Sequence, residues 1–473
     1  MQIRLSIING QMNKSTLVIP NVFEFNTKSI ASGVLDKYLN SWREVGTALA
    51  DLAIFWPGEY KIIASRRLIN SHFVEYITNK LNYKQIRNYS PSVNSRDLFN
   101  DILEDNTINQ LLINELQNQE SDLITWGTTK GVYKFCDTLN DMGIKLDTPD
   151  TTSRSNYWAV LYIDSKAGFR HICCPVDPQI ISMPRGFVCN LSDALEYIRT
   201  FYNAGDGCFI KSNIGVGGVG LIPLNLEWKK HSDKKFQTYI DQETQKMPYL
   251  FDSSPIVVEQ KIRQKLVRVD SNTIAGAFFV NLFIHSTGEV ELLGGGCELR
   301  NNHNHYVGAQ MGIGSVFDQT VAHECEKISR YLCQLFASLG YQGNIGFDYL
   351  LDENDKLYVL EANPRRCSEA HIYDLATRLF DTEWRSHKYV LTRLPLRIKA
   401  TTDTDANSVI DLFADVGCEL GKGVDLFLTC ISWLDIKNDP GLGYVILGPD
   451  KYVVDNADLL LHHRLAEIGL HPY

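Results

Sequence analysis

Residues 343–366 read GNIGFDYLLDENDKLYVLEANPRR. Two apolar stretches, IGFDYLL and KLYVLEAN, flank a polar turn around Asn354 and Asp355, so the segment is expected to fold as a β-hairpin. If it closes on a two- or four-residue loop, Glu353 faces Lys356 and Asp348 faces Glu361. Directly opposed Cβ atoms lie about 4.5–5.5 Å apart, where like charges repel. A pair of acids held there needs a counter-ion. Asn363 follows Glu361 by two residues and shares its face. Two carboxylates and an amide oxygen suit a hard divalent cation, magnesium above all, which takes a few carboxylates, waters and substrate phosphates. The alternative is an acidic edge strand with solvated side chains. Against it, the acids are embedded among Phe347, Tyr349, Tyr358 and Leu360.

A second stretch, CFIKSNIGVGGVGLIPL (208–224), contains a G-x-G-x-x-G pattern at Gly215, Gly217 and Gly220. A dinucleotide site requires a helix after the glycines. Here LIPLNL follows, with Pro223, which a helix interior does not tolerate. Strand, glycine loop, strand is the expected order. No G-K-[ST] ends the loop, which excludes a Walker A motif. Protein kinases use a similar loop, but neither H-R-D nor D-F-G occurs. Backbone N–H groups of such a turn can approach phosphates closely, and Lys211 lies just before it. A flexible hairpin tip with a solvated lysine is the competing reading, and the acidic hairpin decides between them.

The elements that must carry these residues follow from the pattern of apolar runs. At 473 residues the chain has room for roughly three domains of about 150 residues each. Residues 1–150 alternate strand-like runs (49–58, 60–65, 121–127) with helical ones (71–83, 108–119), an α/β layer pattern. The Asn-rich patch 88–107 reads as loop. Residues 151–390 hold both motifs and a helix over 321–341 with an apolar stripe ending at Gly340. Residues 391–473 carry strand-like runs (424–434, 443–448) and a terminal helix, a small α/β segment. Hydrophobic residues are 44% and charged residues 22%, as in soluble globular proteins. The net charge of −10 and the lack of a basic run argue against a nucleic-acid partner. The eleven scattered cysteines include no C-x-x-C pair, which fits reduced thiols and a cytoplasmic location. The initial apolar run is too short for a signal peptide, and no run of about 18 apolar residues could span a membrane.

Together, the lysine before a glycine-rich hairpin and the distal D…E-x-N-P-R hairpin resemble the ATP-grasp superfamily of carboxylate–amine ligases. The matching stretches are IKSNIGVGGVGL, IVVEQKI (256–262) and GFDYLLDENDKLYVLEANPR, within about half the chain. DSKAGFR (164–170) followed by PRG (184–186) further resembles the pheganomycin-type peptide ligases. The resemblance implies an N-terminal α/β domain over 1–150, a central ATP-grasp unit of two subdomains over 151–390, and the C-terminal segment after it. It implies ATP with Mg2+, or Mn2+ in its place. Lys166 and Lys211 would contact phosphates, with Lys130 a rival to Lys166. Gly215, Gly217 and Gly218 would form a lid. Glu259, Gln260, Lys261 and Ile262 would be the hinge for adenine. Asp348, Glu361 and Asn363 would hold the metal, and Arg365 would face the transferring phosphoryl group. Asp348 stands where the family often has Glu.

The activity so implied is conversion of a carboxylate to an acyl phosphate, attack by an amine, and release of ADP and phosphate. Substrates would be small-molecule or peptide carboxylates and amines, and such ligases are often homodimers. Arg300, in the glycine-rich stretch 294–312, could clamp a substrate carboxylate through its planar fork, or be a surface arginine. His303 and His305 form H-x-H without a third ligand nearby. The alternatives are a carboxylase or phosphotransferase of the same fold, and an inactive nucleotide-binding module. No biotin-attachment A/V-M-K-M motif occurs.

Overall fold

Five parallel strands form the first layer. They are β1 (Ser15–Ile19), β2 (Tyr60–Ala64), β3 (Gln85–Tyr89), β4 (Ser121–Thr125) and β5 (Leu146–Asp147), in the order β3-β2-β1-β4-β5. A parallel strand buried on both faces needs a continuous apolar run, and Leu17, Val18 and Ile19 are fully buried. Helices Ser71–Leu81, Asn106–Leu116 and Lys130–Asp141 pack here, the first through Phe73, Ile77 and Leu81 as its spacing requires. The computed structural model describes residues 14–30, 34, 36–117, 119–215, 217–252, 255–269, 273–301, 306–316, 319–402 and 404–473. The apolar start of the chain, His303 and His305 lie outside the described residues.

Two local expectations are corrected in this layer. The run 49–58 is not a strand: Leu49–Phe55 is a 3-10 helix. Its Asp51 accepts from the backbone N–H of Ile431 at 2.8 Å and of Ser432 at 2.7 Å, and from Ser432 Oγ at 2.9 Å. The patch 88–107 is not all loop. Leu98–Glu104 is a helix whose N-cap, Asp97, accepts from the N–H groups of Phe99 and Asn100.

The glycine motif belongs to a four-stranded antiparallel sheet. It comprises β6 (Gly186–Cys189), β7 (Cys208–Ser212), β8 (Leu221–Leu224) and β9 (Ile256–Gln260), ordered β6-β9-β7-β8. The glycines lie in the β7–β8 turn. Pro223 sits on β8, an edge strand, where a missing N–H is tolerated.

The third sheet has ten strands. Its spine runs β15-β14-β11-β12-β13-β16-β18-β17, with β10 on β11 and β19 on β16. The spans are β10 (Val267–Arg268), β11 (Thr273–Ile284), β12 (Val290–Asn301), β13 (Tyr306–Gly312), β14 (Gly343–Leu351), β15 (Leu357–Asn363), β16 (Tyr389–Ala400), β17 (Asp425–Cys430), β18 (Gly441–Gly448) and β19 (Leu470–Pro472). Helix Gln319–Ser338 packs on β11 and β12, burying Cys325, Ile328, Leu332 and Phe336. Residue 390, where the sequence divides the second unit from the last, falls inside β16, so the final segment extends the same sheet. The strand-like run 424–434 ends at Cys430 and continues as a 3-10 helix over Ser432–Asp435. Among the described residues no helix is long and apolar enough to cross a membrane.

Candidate active site

The acidic hairpin is β14–β15. Gly346 pairs with Asn363, Phe347 with Ala362 and Asp348 with Glu361, the expected pairing, although the turn that was to produce it differs. Beyond that point the register shifts, because Tyr349 pairs with Val359. Leu360 is the extra residue of a β-bulge, and Leu360 and Glu361 both line the adjacent cleft. The turn departs from expectation by one residue, and the bulge absorbs the difference and restores the pairing of Asp348 with Glu361. Glu353 does not face Lys356; instead Asp352 donates its N–H to Lys356 O at 3.0 Å and accepts from Asn354 and Lys356 N–H at 2.9 Å each. Asn363 donates Nδ2 to Asp348 Oδ2 at 3.1 Å. Its amide oxygen, the atom a cation would use, accepts from Arg365 Nη2 at 3.0 Å.

The cations come from the facing elements. Ser165 caps the helix Lys166–Cys173, which fixes Lys166 at its first turn. Lys166 Nζ reaches Glu361 Oε2 at 3.1 Å and donates to Gly215 O at 3.1 Å, so one side chain joins the acidic hairpin to the glycine loop. Lys211, on β7, is ion-paired to Glu259 on β9. Arg170 holds the other oxygen of Glu259 at 2.5 Å and donates to Pro184 O. Glu259 is therefore buried with its carboxylate committed. The backbone N–H groups of Gln260 and Lys261 bond to Arg185 O and Gly207 O. Ile262 is the first hinge residue beyond them.

Charge is unevenly resolved among the acids. Burial first, then Glu361 and Glu298, push the Asp348 carboxyl well above the usual range. Burial also raises Glu361, but Lys166, Lys211 and Arg365 outweigh it and hold Glu361 below its usual value. Glu298 is raised by burial although Arg300 opposes the shift. A carboxyl driven upward beside others is short of positive charge. The site thus favours an added cation next to Asp348.

These groups line one cleft of about 890 Å³ between the four-stranded and ten-stranded sheets. Lys166, Lys211, Gly215, Gly217, Gly218, the hinge Glu259–Ile262, Arg300, Asp348 and Glu361 all face it. Gly217 and Gly218 have φ of +59° and +81°, and a Cβ at either would meet nothing, so the turn projects freely over the cleft. Asn363 and Arg365 do not line this cleft. They line a small cavity of about 20 Å³ that shares Lys166, Gly215 and Glu361 with it. Lys130 lines neither; it is exposed at the start of its own helix. Arg300 Nη2 is 2.8 Å from Glu298 Oε2.

Four residues escaped the reading of the sequence: Arg170, Glu298, Lys28 and Trp126. Glu298 precedes Arg300 by two, so strand alternation could have found it. Arg170 closes the DSKAGFR stretch four residues after Lys166, but its spacing alone assigns it no partner. Lys28 follows helix Val22–Thr27 and Trp126 follows β4, both in the parallel-sheet layer, and they meet the site only through tertiary packing. Lys28 pairs with Asp164, and Arg365 lies 5.6 Å from the Trp126 ring.

No family model and no curated protein sequence matches the chain. Solved structures do match. A biotin carboxylase from Campylobacter jejuni in a β,γ-ATP complex superposes with TM-score 0.55 and 13% identity, over 98% of this chain and 93% of that one. An N5-carboxyaminoimidazole synthase from Aspergillus clavatus, in complex with ADP and 5-aminoimidazole ribonucleotide, gives 0.53 and 11%, over 96% and 98%. The biotin carboxylase domain of a Hydrogenobacter thermophilus 2-oxoglutarate carboxylase, a dimer with MgADP and bicarbonate, gives 0.52 and 13%, over 95% and 89%. At these identities the likeness is one of fold: the chain carries the ATP-grasp fold that its motifs resemble.

Proposed function

We propose that this chain is an ATP-dependent ligase that converts a carboxylate to an acyl phosphate and joins it to an amine, releasing ADP and phosphate. One observation carries the reading. Asp348 and Glu361 face each other across β14 and β15 while Lys166 ties Glu361 to the glycine loop.

The donor set suits magnesium. Among the described residues no three His, Cys, Asp or Glu side chains form a closed metal cage. Two carboxylates and an amide leave positions for water and phosphate oxygens, as Mg2+ prefers, and Arg365 does not outweigh the burial and the acids that raise Asp348. Asp348 and Glu361 would hold the ion. Asn363 would join through its oxygen when Arg365 turns towards the phosphoryl group. Bound there, Mg2+ or Mn2+ would neutralise phosphate charge during transfer.

The chain's own groups supply the rest. Lys166 and Lys211 offset negative charge on the phosphates, Arg365 meets the phosphoryl group in flight, and Arg300 clamps an anionic group in the large cleft. Five cationic and five acidic side chains line that cleft, so it is balanced for a nucleotide that arrives with its own metal charge. The hinge would read adenine from Ile262 and from the strand's carbonyl side. Gly217 and Gly218 would let the turn close and keep water from the acyl phosphate.

Peptide-bond formation is the finer form of this reading, supported by the DSKAGFR and PRG stretches. A second reading, carboxylation, draws support from a similar structure that holds bicarbonate. Phosphate release from ATP, with and without Mg2+, separates them. Turnover that needs two amino acids is expected for the ligase. Turnover with bicarbonate alone would select the carboxylase, and nucleotide binding without any turnover would refute both.

A further inference from the structure

The small cavity beside the acidic hairpin has a composition the large cleft lacks. Its charged lining is Lys28, Lys166 and Arg365 against Asp164 and Glu361, which leaves one surplus positive charge. At about 20 Å³ it admits little more than a single water-sized oxyanion group, not a whole substrate. It joins the large cleft at Lys166, Gly215 and Glu361. The hinge and Lys211 lie on one side of that junction, and Arg365 and Lys28 on the other.

Lys28 reaches this place from the first domain, and its position is fixed at several points. It follows the helix Val22–Thr27, and its Nζ donates to Phe25 O at 3.1 Å and lies 3.5 Å from the Phe25 ring centre. Asn21, fully buried, donates to Gly127 O at 2.9 Å and accepts from Trp126 N–H at 2.9 Å. Trp126 O in turn accepts from Arg366 N–H at 2.8 Å. Any Cβ on Gly127 would meet the Phe25 ring at 2.5 Å and Arg365 Cβ at 3.1 Å, so the two domains touch without slack here. Lys28 is thereby held against the bend after β15 that carries Arg365. Its ion-pair partner, Asp164, precedes Lys166 by two residues.

We propose that Lys28 and Arg365 together form the seat for the carboxylate that is phosphorylated, with Lys28 a substrate-binding residue contributed by the first domain. This rests on the ligase reading and extends it to the acceptor. With the nucleotide in the large cleft, its terminal phosphorus comes to the junction, and a carboxylate in the small cavity approaches from the side away from the hinge. One carboxylate oxygen then attacks phosphorus. The bond from phosphorus to the bridging oxygen breaks, its electron pair leaves with ADP, and no proton moves. An anion must be brought against an anionic phosphate, and the surplus cation offsets that repulsion.

The test uses the full chain with MgATP and hydroxylamine as nucleophile, so that any acyl phosphate is trapped as a hydroxamate. Acetate, glycine, L-alanine, L-glutamate and bicarbonate are the carboxylate probes. In Lys28→Met the KM for the carboxylate is expected to rise about 10- to 100-fold, as for loss of one charge-assisted contact, while the KM for MgATP stays within about twofold. Lys28→Arg is expected to retain most of the affinity. The double variant Lys28→Met/Asp164→Asn removes the orphaned acid and must remain impaired. Recovery in that double variant, or an unchanged carboxylate KM in Lys28→Met, overturns the assignment of Lys28 alone. A wild-type chain that binds MgATP but yields neither hydroxamate nor phosphate with any probe overturns the ligase reading, and this seat with it.

Discussion

Glu361→Gln removes the charge of this carboxylate while keeping its shape, and its consequences can be worked from the contacts around it. Lys166 loses a charge-assisted hydrogen bond at 3.1 Å, which costs about 1.5–3 kcal/mol. In return Asp348 loses the acid directly opposite. Two charges about 5 Å apart at an effective dielectric of about 20 repel by about 3 kcal/mol. Burial first, and then Glu361 and Glu298, hold the Asp348 carboxyl well above its usual range, and the substitution relieves the Glu361 part of that. The two effects nearly cancel, so thermal unfolding should shift by only a few degrees. Magnesium binding should respond far more. If these acids hold the ion, a carboxyl raised above its usual range gives up bound proton to it, so affinity should rise with pH and binding should release protons. In the variant, burial and Glu298 still raise Asp348, but by less, and fewer protons are displaced. Titration calorimetry in two buffers of different ionisation enthalpy counts them. Metal affinity should fall, and MgATP-dependent turnover should drop about 10²- to 10³-fold, as when one preorganised charge contact is removed. If Glu361→Gln binds magnesium with the same proton release and turns over within about threefold of wild type, the two acids do not share a cation.

Two further outcomes test the supporting structure. Arg170→Met leaves the Glu259 carboxylate, 5% exposed, with Lys211 as its remaining ionic partner, and should cost about 3–5 kcal/mol in urea unfolding; a loss under about 1 kcal/mol would show that the pair contributes little. His371 is buried, which lowers its pKa from the usual 6.5 to about 4. The unfolded chain therefore binds a proton there that the fold refuses, and stability falls as pH drops from about 6.5 to 4, by about 3 kcal/mol at the lower end. His371→Phe should flatten that part of the stability curve, and an unchanged slope in pH-dependent denaturation would rule out the assignment to His371.

Parts of the fold were legible because single segments carry their own signal. The stripe of helix Gln319–Ser338, the apolar run of β1 and the alternation through Asp348 and Glu361 each hold within a few turns or residues. The errors arose where the deciding partner is distant. An apolar run such as 49–55 suits a buried strand or a buried helix equally. What selects the 3-10 helix includes Asp51 bonding to Ile431 and Ser432, some 380 residues later. The bulge at Leu360 was hidden for a related reason. A bulge costs local hydrogen bonds and persists when surrounding packing favours it, here with β14 also paired to β11.

The same distinction divides the site. Asp348, Glu361, Lys211 and the glycines announce themselves because short motifs hold them at fixed spacing on one hairpin each. Their neighbours do not. Arg170 meets Glu259 across 89 positions, and Lys28 meets Asp164 across 136. A charge pair of this kind leaves no pattern in either segment, since each member alone reads as an ordinary solvated side chain. Yet buried pairs are costly to leave half-made, so they fix how one domain sits on the next. In the proposed reading the motif residues act on the phosphates. Residues brought in by domain packing, Lys28 first among them, meet the group that receives the phosphate. Substrate choice in such a chain should therefore follow the domain contact rather than the motif, and exchanging residues 21–30 should alter the carboxylate accepted while leaving nucleotide binding intact.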